Sequence, residues 1–168
     1  WGIGVGVSKV DHEMIEMARN VLWKATRVSA KLLLPSDVMV SNTDRTSLPA
    51  ALPYNKVPMG LGIYDIGPKS CEELGAIIKT AKTIIWNGPM GLYEDARFAT
   101  GTQFTCKRIA AALALSIVGG GDTISIIGDE SALSHIDLIS TGGSAMLEFI
   151  KKGTLPTIEA LKNGVKKV

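Results

Sequence analysis

The apolar residues near the start of the chain recur at the spacing of one helix face. Between Asp11 and about Ser29 they lie three or four positions apart. The residues concerned are Met14, Ile15, Ala18, Val21, Leu22 and Ala25. Because an α-helix makes one turn in about 3.6 residues, this spacing predicts an amphipathic helix with Asp11 as its N-cap.

Beyond this helix, short apolar runs alternate with segments of helical periodicity. The runs predict buried strands at 31–42, with a kink at Pro35, and at 61–66, 83–87, 115–119 and 137–141. Helices are predicted at 68–82, 101–114, 122–131 and 142–153. The first of these begins either with Pro68 at its first position or with a capping box formed by Ser70 and Glu73. Residues 43–60 contain three prolines and no sustained period, which predicts a long surface loop.

The alternation of strands and helices predicts an α/β fold. Since the strands are apolar on both faces, we expect a three-layer, Rossmann-like domain with a mainly parallel sheet and helices on both faces. Ligands bind such sheets beyond the carboxyl ends of the strands. Three successive strand ends carry glycine clusters, "NGPMG" (87–91), "GGGDT" (119–123) and "STGGS" (140–144). If these strands are neighbours, the three loops line one rim.

Glycine-rich loops that run into helix N-termini favour anions, most often phosphate. Glycine has no Cβ, so its N–H can approach a ligand oxygen closely, and the helix N-terminus adds N–H groups and positive charge. The alternative is that the glycines only make tight turns. Asp122 would repel phosphate unless a cation lay between them, and Mg²⁺ is the simplest such cation. Asp122 could also be a plain N-cap, and the two roles are compatible.

Composition and charge exclude several classes of function. The chain has 46% hydrophobic and 20% charged residues, with a net charge of +2. The charges are scattered, which favours neither nucleic acid nor a membrane surface as a partner. Cys71 and Cys106 are too few and too far apart for a disulfide framework, which favours a cytosolic protein. The chain begins at Trp1 rather than Met, which suggests a fragment or a processed product.

The common cofactor and catalytic motifs are absent. Neither "GGGDTI" nor "GIGVGV" has glycine at the sixth position of the Rossmann fingerprint. In "GIYDIGPKS" (62–70), Pro68 separates Gly67 from Lys69, which removes an N–H and displaces the lysine from its place in a Walker A loop. His12 and His135 have no neighbouring ligands in the sequence, and no serine has a nucleophile-elbow pattern.

Five segments together resemble the C-terminal domain of phosphoglycerate kinase. They are "TIIWNGPMGLYE" (83–94), "FATGT" (98–102), "GGGDT" (119–123), "STGGSAMLEFI" (140–150) and "LP" (155–156). Their order and spacing match those of the family, and "KLLLPSDVMV" and "YDIGPKS" look like earlier strands and loops of the same domain. The resemblance covers roughly residues 1–163.

The resemblance implies a two-lobed glycolytic enzyme of the cytoplasm, monomeric when intact. Its C-terminal lobe holds Mg-ADP or Mg-ATP, and its N-terminal lobe holds 3-phosphoglycerate or 1,3-bisphosphoglycerate. The reaction is phosphoryl transfer with a carboxyl group as acceptor, which depends on positioning and charge neutralisation. Residues 1–168 would be the nucleotide-binding domain without its first segment and without the whole N-terminal substrate domain. We therefore expect the chain to be inactive alone.

The resemblance also assigns residues to the phosphates of the nucleotide. It implies that Asp122 binds the Mg²⁺ ion that accompanies the nucleotide. The backbone of Gly120, Gly121 and Thr123 would hold phosphate at a helix N-terminus, and Asn87 would lie near the phosphates.

The same resemblance assigns residues to the adenosine cleft and to catalysis. Pro89, Gly91 and Leu92 would shape the cleft, and Glu94 would accept hydrogen bonds from the ribose hydroxyls. The helix opened by Gly142 and Gly143 is expected to face the transferring phosphoryl group. The implied catalytic residues are Gly120, Gly121, Gly142 and Gly143.

Some positions depart from the family pattern. Ser144 stands where a third glycine is usual, and its side chain could crowd the phosphoryl path or cap the helix. Ile63 and Tyr64 replace a Gly-Leu pair that lies against adenosine in the family, and Leu138 replaces a histidine.

Two other functions remain open on the sequence. One is a degenerate, non-catalytic nucleotide-binding or interaction module of the same fold, which the departures from the family pattern favour. The other is a nicotinamide-dependent oxidoreductase, against which the failed fingerprint argues.

Overall fold

The computed structural model describes residues 2–127 and 134–164. The helices are α1 Ile15–Ala25, α2 Pro68–Thr80, α3 Thr100–Ala110, α4 Gly121–Ile127, α5 Gly143–Lys152 and α6 Pro156–Gly164, with 3-10 turns at His12–Met14 and Ala96–Phe98. The strands are β1 Asp37–Asn42, β2 Ala50–Pro53, β3 Leu61–Ile66, β4 Thr83–Asn87, β5 Leu115–Gly119 and β6 Leu138–Ser140. Among the described helices, none is both long and apolar enough to traverse a lipid bilayer.

The chain forms two compact units. The first contains the residues up to Ile77 together with Met90–Thr105, and the second contains Ile78–Pro89 and the residues from Cys106 onward. Each unit contains one three-stranded sheet. The predicted α/β class is confirmed, since helices and strands alternate along the chain and one sheet is parallel.

The sheet of the first unit has the order β2-β1-β3 and is antiparallel throughout. Val38 and Val40 of β1 are buried with Val57 and form its core, against which Leu52, Leu61 and Ile63 pack. The parallel pairing expected for these strands is wrong. The segment between β1 and β3 contains no crossover helix and itself supplies β2, so the chain reverses direction and pairs antiparallel.

Two predicted boundaries in the first unit also change. Residues 43–60 were expected to be a loop, but they contain the short strand β2, whose Pro53 is tolerated because β2 lies at a sheet edge. The kinked strand expected from residue 31 begins only at Asp37. Pro35 has no N–H to donate to a sheet, which accounts for the later start.

The sheet of the second unit is parallel, with the order β4-β5-β6. Asn87 at the end of β4 pairs with Gly119 at the end of β5, and Gly119 pairs with Ser140 at the end of β6. The three strand ends are therefore level with one another. The common rim was predicted on the condition that these strands are neighbours, and in the structure they are neighbours.

The helix termini follow local chemistry, with one contribution from a distant residue. Asp11 accepts a hydrogen bond from the Glu13 N–H at 3.1 Å, before α1 begins, and α5 ends at Gly153 with a φ of 72°. Helix α2 begins at Pro68, and its first turn is capped by Asp37 of β1, which accepts from the N–H groups of Lys69 and Ser70 at 3.1 and 2.7 Å. The helix predicted at 122–131 is observed as α4, and its last residues lie outside the described ones.

Candidate functional site

Three glycine-bearing loops of the second unit meet beyond the aligned strand ends. A Cβ atom on Gly143 would lie 2.7 Å from Oδ1 of Asn87 and 2.8 Å from Cα of Gly120. Such distances are shorter than carbon atoms tolerate, so only glycine fits at position 143. Gly120 has a φ of 101°, which also favours glycine. We call this meeting point, formed by Asn87, Gly120 and Gly143, the glycine rim.

The rim receives the N-termini of two helices. In α4 the first hydrogen bond along the helix runs from the Ile124 N–H to the Gly120 carbonyl at 3.1 Å, and in α5 it runs from the Met146 N–H to the Gly142 carbonyl at 2.7 Å. The N–H groups that precede them, at 121–123 and 143–145, belong to the first turns, which have no intrahelical acceptor. Two positive helix ends therefore meet at one place, which favours an anion.

The rim glycines do not all contribute in the way the sequence predicts. The N–H of Gly120 donates to the Ser140 carbonyl at 3.2 Å, so this N–H is already used in linking β5 to β6. The role that remains for Gly120 is to let a ligand approach its backbone closely, because it has no side chain. A Cβ on Gly121 would meet no heavy atom of the described residues within 4 Å, so among them the space beside this residue is open.

Thr123 and Ser144 lie near the same helix starts. Thr123 is buried, and its Oγ1 accepts a hydrogen bond from the Gly88 N–H at 2.9 Å. The N-cap of α5 is Gly142, with no side-chain hydrogen bond at the cap, and Ser144 is exposed. Of the two roles that the sequence left open for Ser144, capping the helix is therefore excluded.

For the predicted metal ligand, Asp122, the structure defines only the position of the backbone. Asp122 is the second residue of α4, and its side chain lies outside the described ones. In the part of the chain that the structure describes, no group of three or more His, Cys, Asp or Glu side chains could enclose a metal ion. A cation held here would need oxygen ligands from a bound anion, as Mg²⁺ commonly takes them from phosphate.

The predicted adenosine residues extend into the first unit. Pro89 is the last residue of the segment Ile78–Pro89, which belongs to the second unit. Gly91, Leu92 and Glu94 belong to the first unit. The Leu92 N–H donates to the Tyr64 carbonyl at 2.8 Å, and Glu94 is exposed.

Two buried side chains that the sequence did not single out lie beside the segment at 90–92. Thr102 of α3 accepts a hydrogen bond from the Met90 N–H at 3.0 Å. Asp65 is 3% exposed and accepts hydrogen bonds from the N–H groups of Gly101 and Ile66, both at 2.8 Å. Burial raises the pKa of the Asp65 carboxyl above its usual value, although these two hydrogen bonds act against the change.

Gly91 explains why Asp65 matters for this segment. A Cβ on Gly91 would collide with Asp65 Oδ1, so the chain can pass there only as glycine. The one signal for Asp65 in the sequence was its place in "YDIGPKS".

Ile63 and Tyr64 have structural roles within the first unit. Ile63 packs against the buried cluster of Val38, Val40 and Val57. The Tyr64 ring lies 5.0 Å from that of Phe98, measured between centroids, and its hydroxyl donates to the Asn42 carbonyl at 3.3 Å.

A family model described as phosphoglycerate kinase matches residues 1–153. This chain belongs to the phosphoglycerate kinase family. The resemblance inferred from the glycine segments is thereby confirmed, and membership in a kinase family argues against the nicotinamide-dependent alternative.

Individual phosphoglycerate kinases show how much of the family's length is present. The protein from Desulfosudis oleivorans is 40% identical over 162 residues, which are 96% of this chain and 41% of the relative. The protein from Pelobacter propionicus is 38% identical over 167 residues, covering 99% of this chain and 42% of the relative. The chain thus spans about two fifths of the length of these curated relatives.

Solved structures of the family have the same fold. The phosphoglycerate kinase of Coxiella burnetii superposes with a TM-score of 0.86 at 33% identity, over 95% of this chain and 42% of that one. The enzyme of Pyrococcus horikoshii gives a TM-score of 0.71 at 28% identity, over 96% of this chain and 41% of that one.

Proposed function

We propose that residues 1–168 are the nucleotide-binding domain of a phosphoglycerate kinase. The reaction is the reversible transfer of a phosphoryl group between 1,3-bisphosphoglycerate and ADP, giving 3-phosphoglycerate and ATP in glycolysis. The chain spans 41% of the length of a relative that carries the family name. We therefore assign to this chain only the nucleotide side of the reaction. A cytoplasmic, monomeric protein is part of the same proposal.

The observation that carries the proposal is the convergence of two helix N-termini at the glycine rim. Nucleotide phosphates have several negative oxygens, and the N–H groups of two adjacent helix starts can bind them with little reorganisation. Phosphoryl transfer needs this positioning and charge stabilisation more than it needs a covalent partner from the protein. The N–H groups of Gly121, Gly143 and their helical neighbours would hold the phosphates, and Gly142 would open the path to the transferring group.

A Mg²⁺ ion bound at the rim together with the nucleotide is part of the proposal. The cation usually takes one or two carboxylates from the protein and completes its ligand set with water and phosphate oxygens. Asp122, in the first turn of α4, is the carboxylate that would hold it. When bound, Mg²⁺ would neutralise charge on the phosphates of the nucleotide.

The nucleoside would contact the segment that continues from β4. Pro89, Gly91 and Leu92 would shape the adenosine cleft, and the exposed carboxylate of Glu94 would accept hydrogen bonds from the ribose hydroxyls. Support for this assignment comes from the backbone of the segment, because the Met90 and Leu92 N–H groups are held by α3 and β3.

Calorimetry on the full-length protein tests the proposal. We expect Mg-ADP to bind with a dissociation constant in the micromolar to millimolar range, as is typical of enzyme substrates. NAD should give no measurable heat at the same concentration. ATP formation from 1,3-bisphosphoglycerate separates an active kinase from a degenerate binding module. A folded protein that gives no heat with millimolar Mg-ADP would contradict the proposal.

Replacing Asp122 tests the metal assignment. Asp122→Ala is expected to weaken Mg-ADP binding by at least about tenfold, since a Mg²⁺ ligand is lost. Binding of ADP in the presence of a chelator should change by less than about twofold, or should tighten slightly, because the variant removes a negative charge beside phosphate. Titrations of the wild type and of Asp122→Ala, each with and without Mg²⁺, measure this difference. Equal weakening under both conditions would exclude a metal role for Asp122.

A further inference from the structure

The peptide groups on both sides of Gly88 are held by buried side chains. Thr123 Oγ1 accepts from the Gly88 N–H at 2.9 Å, and Trp86 Nε1 donates to the Gly88 carbonyl at 2.7 Å. Thr123 is 1% exposed and Trp86 is 4% exposed, so both side chains are buried, while Gly88 between them is partly exposed. We call these two side chains the Gly88 clamp.

Gly88 needs such support because its backbone conformation is unusual. Its φ is 99°, outside the range that other residues readily adopt, and its flexible backbone would otherwise sample several directions. The hydrogen bonds to Thr123 and Trp86 fix both adjoining peptide planes. One of those planes includes the carbonyl of Asn87, so the clamp holds the backbone after Asn87, while the pairing of β4 with β5 holds the backbone before it.

The direction of Asn87 matters because its amide oxygen lies beside both helix starts, while the residue as a whole is exposed. Its Oδ1 lies 2.7 Å from where a Cβ on Gly143 would be and 3.4 Å from where a Cβ on Gly120 would be. The side chain thus lies against both helix starts. Without the clamp, the peptide group after Asn87 would rotate more freely, and the Asn87 amide would be held less firmly at the rim.

We propose that Thr123 and Trp86 are positioning residues that orient Asn87 for the phosphates of the nucleotide. The inference rests on the proposed function and adds a side-chain role to each residue. The sequence suggested only a backbone role for Thr123. Neither side chain needs to touch the nucleotide, because both act through the Gly88 backbone.

A ligand-free experiment tests the clamp itself. In NMR spectra of the labelled full-length protein, Thr123→Val should shift the Gly88 amide signal and both side-chain amide signals of Asn87. Trp86→Phe keeps an aromatic ring but loses the donor, and it should shift the same Asn87 signals. Thr105→Val is the matched control, because Thr105 is also 1% exposed but its hydroxyl donates to the Gly101 carbonyl within α3. Unchanged Asn87 signals in both clamp variants would overturn the inference, whether or not nucleotide binds.

Affinity for Mg-ADP tests the consequence. Thr123→Val is expected to raise the dissociation constant about tenfold, and Thr123→Ser, which restores the hydroxyl, should recover most of that loss. In an Asn87→Ala background, Thr123→Val should add less than about twofold, because its effect passes through Asn87. A full tenfold effect in that background would overturn the inference. Wild-type protein that does not bind Mg-ADP would instead overturn the proposed function, and the ligand-free spectra would still decide the clamp.

Discussion

Gly143→Ala is expected to weaken Mg-ADP binding by roughly a hundredfold, the size of effect seen when binding groups are displaced by about 1 Å. The new Cβ would lie 2.7 Å from Oδ1 of Asn87, and 2.8 and 2.9 Å from Cα and N of Gly120. Two of these three atoms belong to the backbone, so they cannot swing aside as a flexible side chain would. The start of α5 must move away from the start of α4, and the two sets of N–H groups are then no longer side by side.

Gly142→Ala separates the clash from the mere addition of a methyl group. A Cβ at this position would meet its nearest neighbour, Cβ of Ala145, at 3.5 Å, which is an ordinary contact. We expect its loss of affinity to be at least about tenfold smaller than that of Gly143→Ala. Calorimetry with Mg-ADP measures both variants, after circular dichroism has shown that both are folded. Similar losses in the two variants would mean that contact between the helix starts is not what builds the rim.

The rim illustrates which parts of a site a single sequence can predict. Glycine clusters at three strand ends, each running into a helix, predicted a common rim, and the register of Asn87, Gly119 and Ser140 confirms it. This prediction worked because strand ends and glycines are local features whose consequences in a parallel sheet are general. The distance between Gly143 and Gly120 was not predictable, because it depends on how two helices pack.

Residues that act across long sequence separations were missed for the same reason. Asp37 caps α2 although it lies 32 residues before Lys69, and the sequence offered only the local alternatives Pro68 and Ser70 with Glu73. The antiparallel sheet was missed because strand direction depends on the connection between strands. The apparent alternation of strands and helices concealed the absence of a crossover helix between β1 and β3.

Asp65 and Asp37 occupy equivalent roles with opposite electrostatics. Asp65 of β3 receives the Gly101 N–H of α3, and Asp37 of β1 receives the Lys69 and Ser70 N–H groups of α2. For Asp65, burial raises the pKa, and two hydrogen bonds do not cancel it. For Asp37, burial also raises the pKa, but hydrogen bonds from Ser70 and Lys69, with the charge of Lys69, outweigh it and the pKa is lowered.

Asp65→Ala is expected to lower the free energy of unfolding by about 2–4 kcal/mol, because two buried N–H donors lose their acceptor. The raised pKa makes this loss depend on pH. The folded protein binds the Asp65 proton more tightly than the unfolded chain, in which the carboxyl titrates near pH 4. The contribution of Asp65 to the free energy of unfolding therefore falls as the pH rises through the raised pKa. The difference between wild type and variant should therefore be largest below about pH 4 and should shrink at higher pH.

Asp37→Ala provides the matched comparison and should show the opposite trend. Its lowered pKa means that the stabilisation is complete above the unfolded pKa, near pH 4, and is lost as the pH falls through the folded value. Urea unfolding of the full-length wild type and both variants, repeated from about pH 3 to pH 7, gives the two difference curves. Slopes of the same sign would show that burial does not govern Asp65. Slopes of opposite sign are the result expected if burial dominates at Asp65 and hydrogen bonds dominate at Asp37, which is only partly buried.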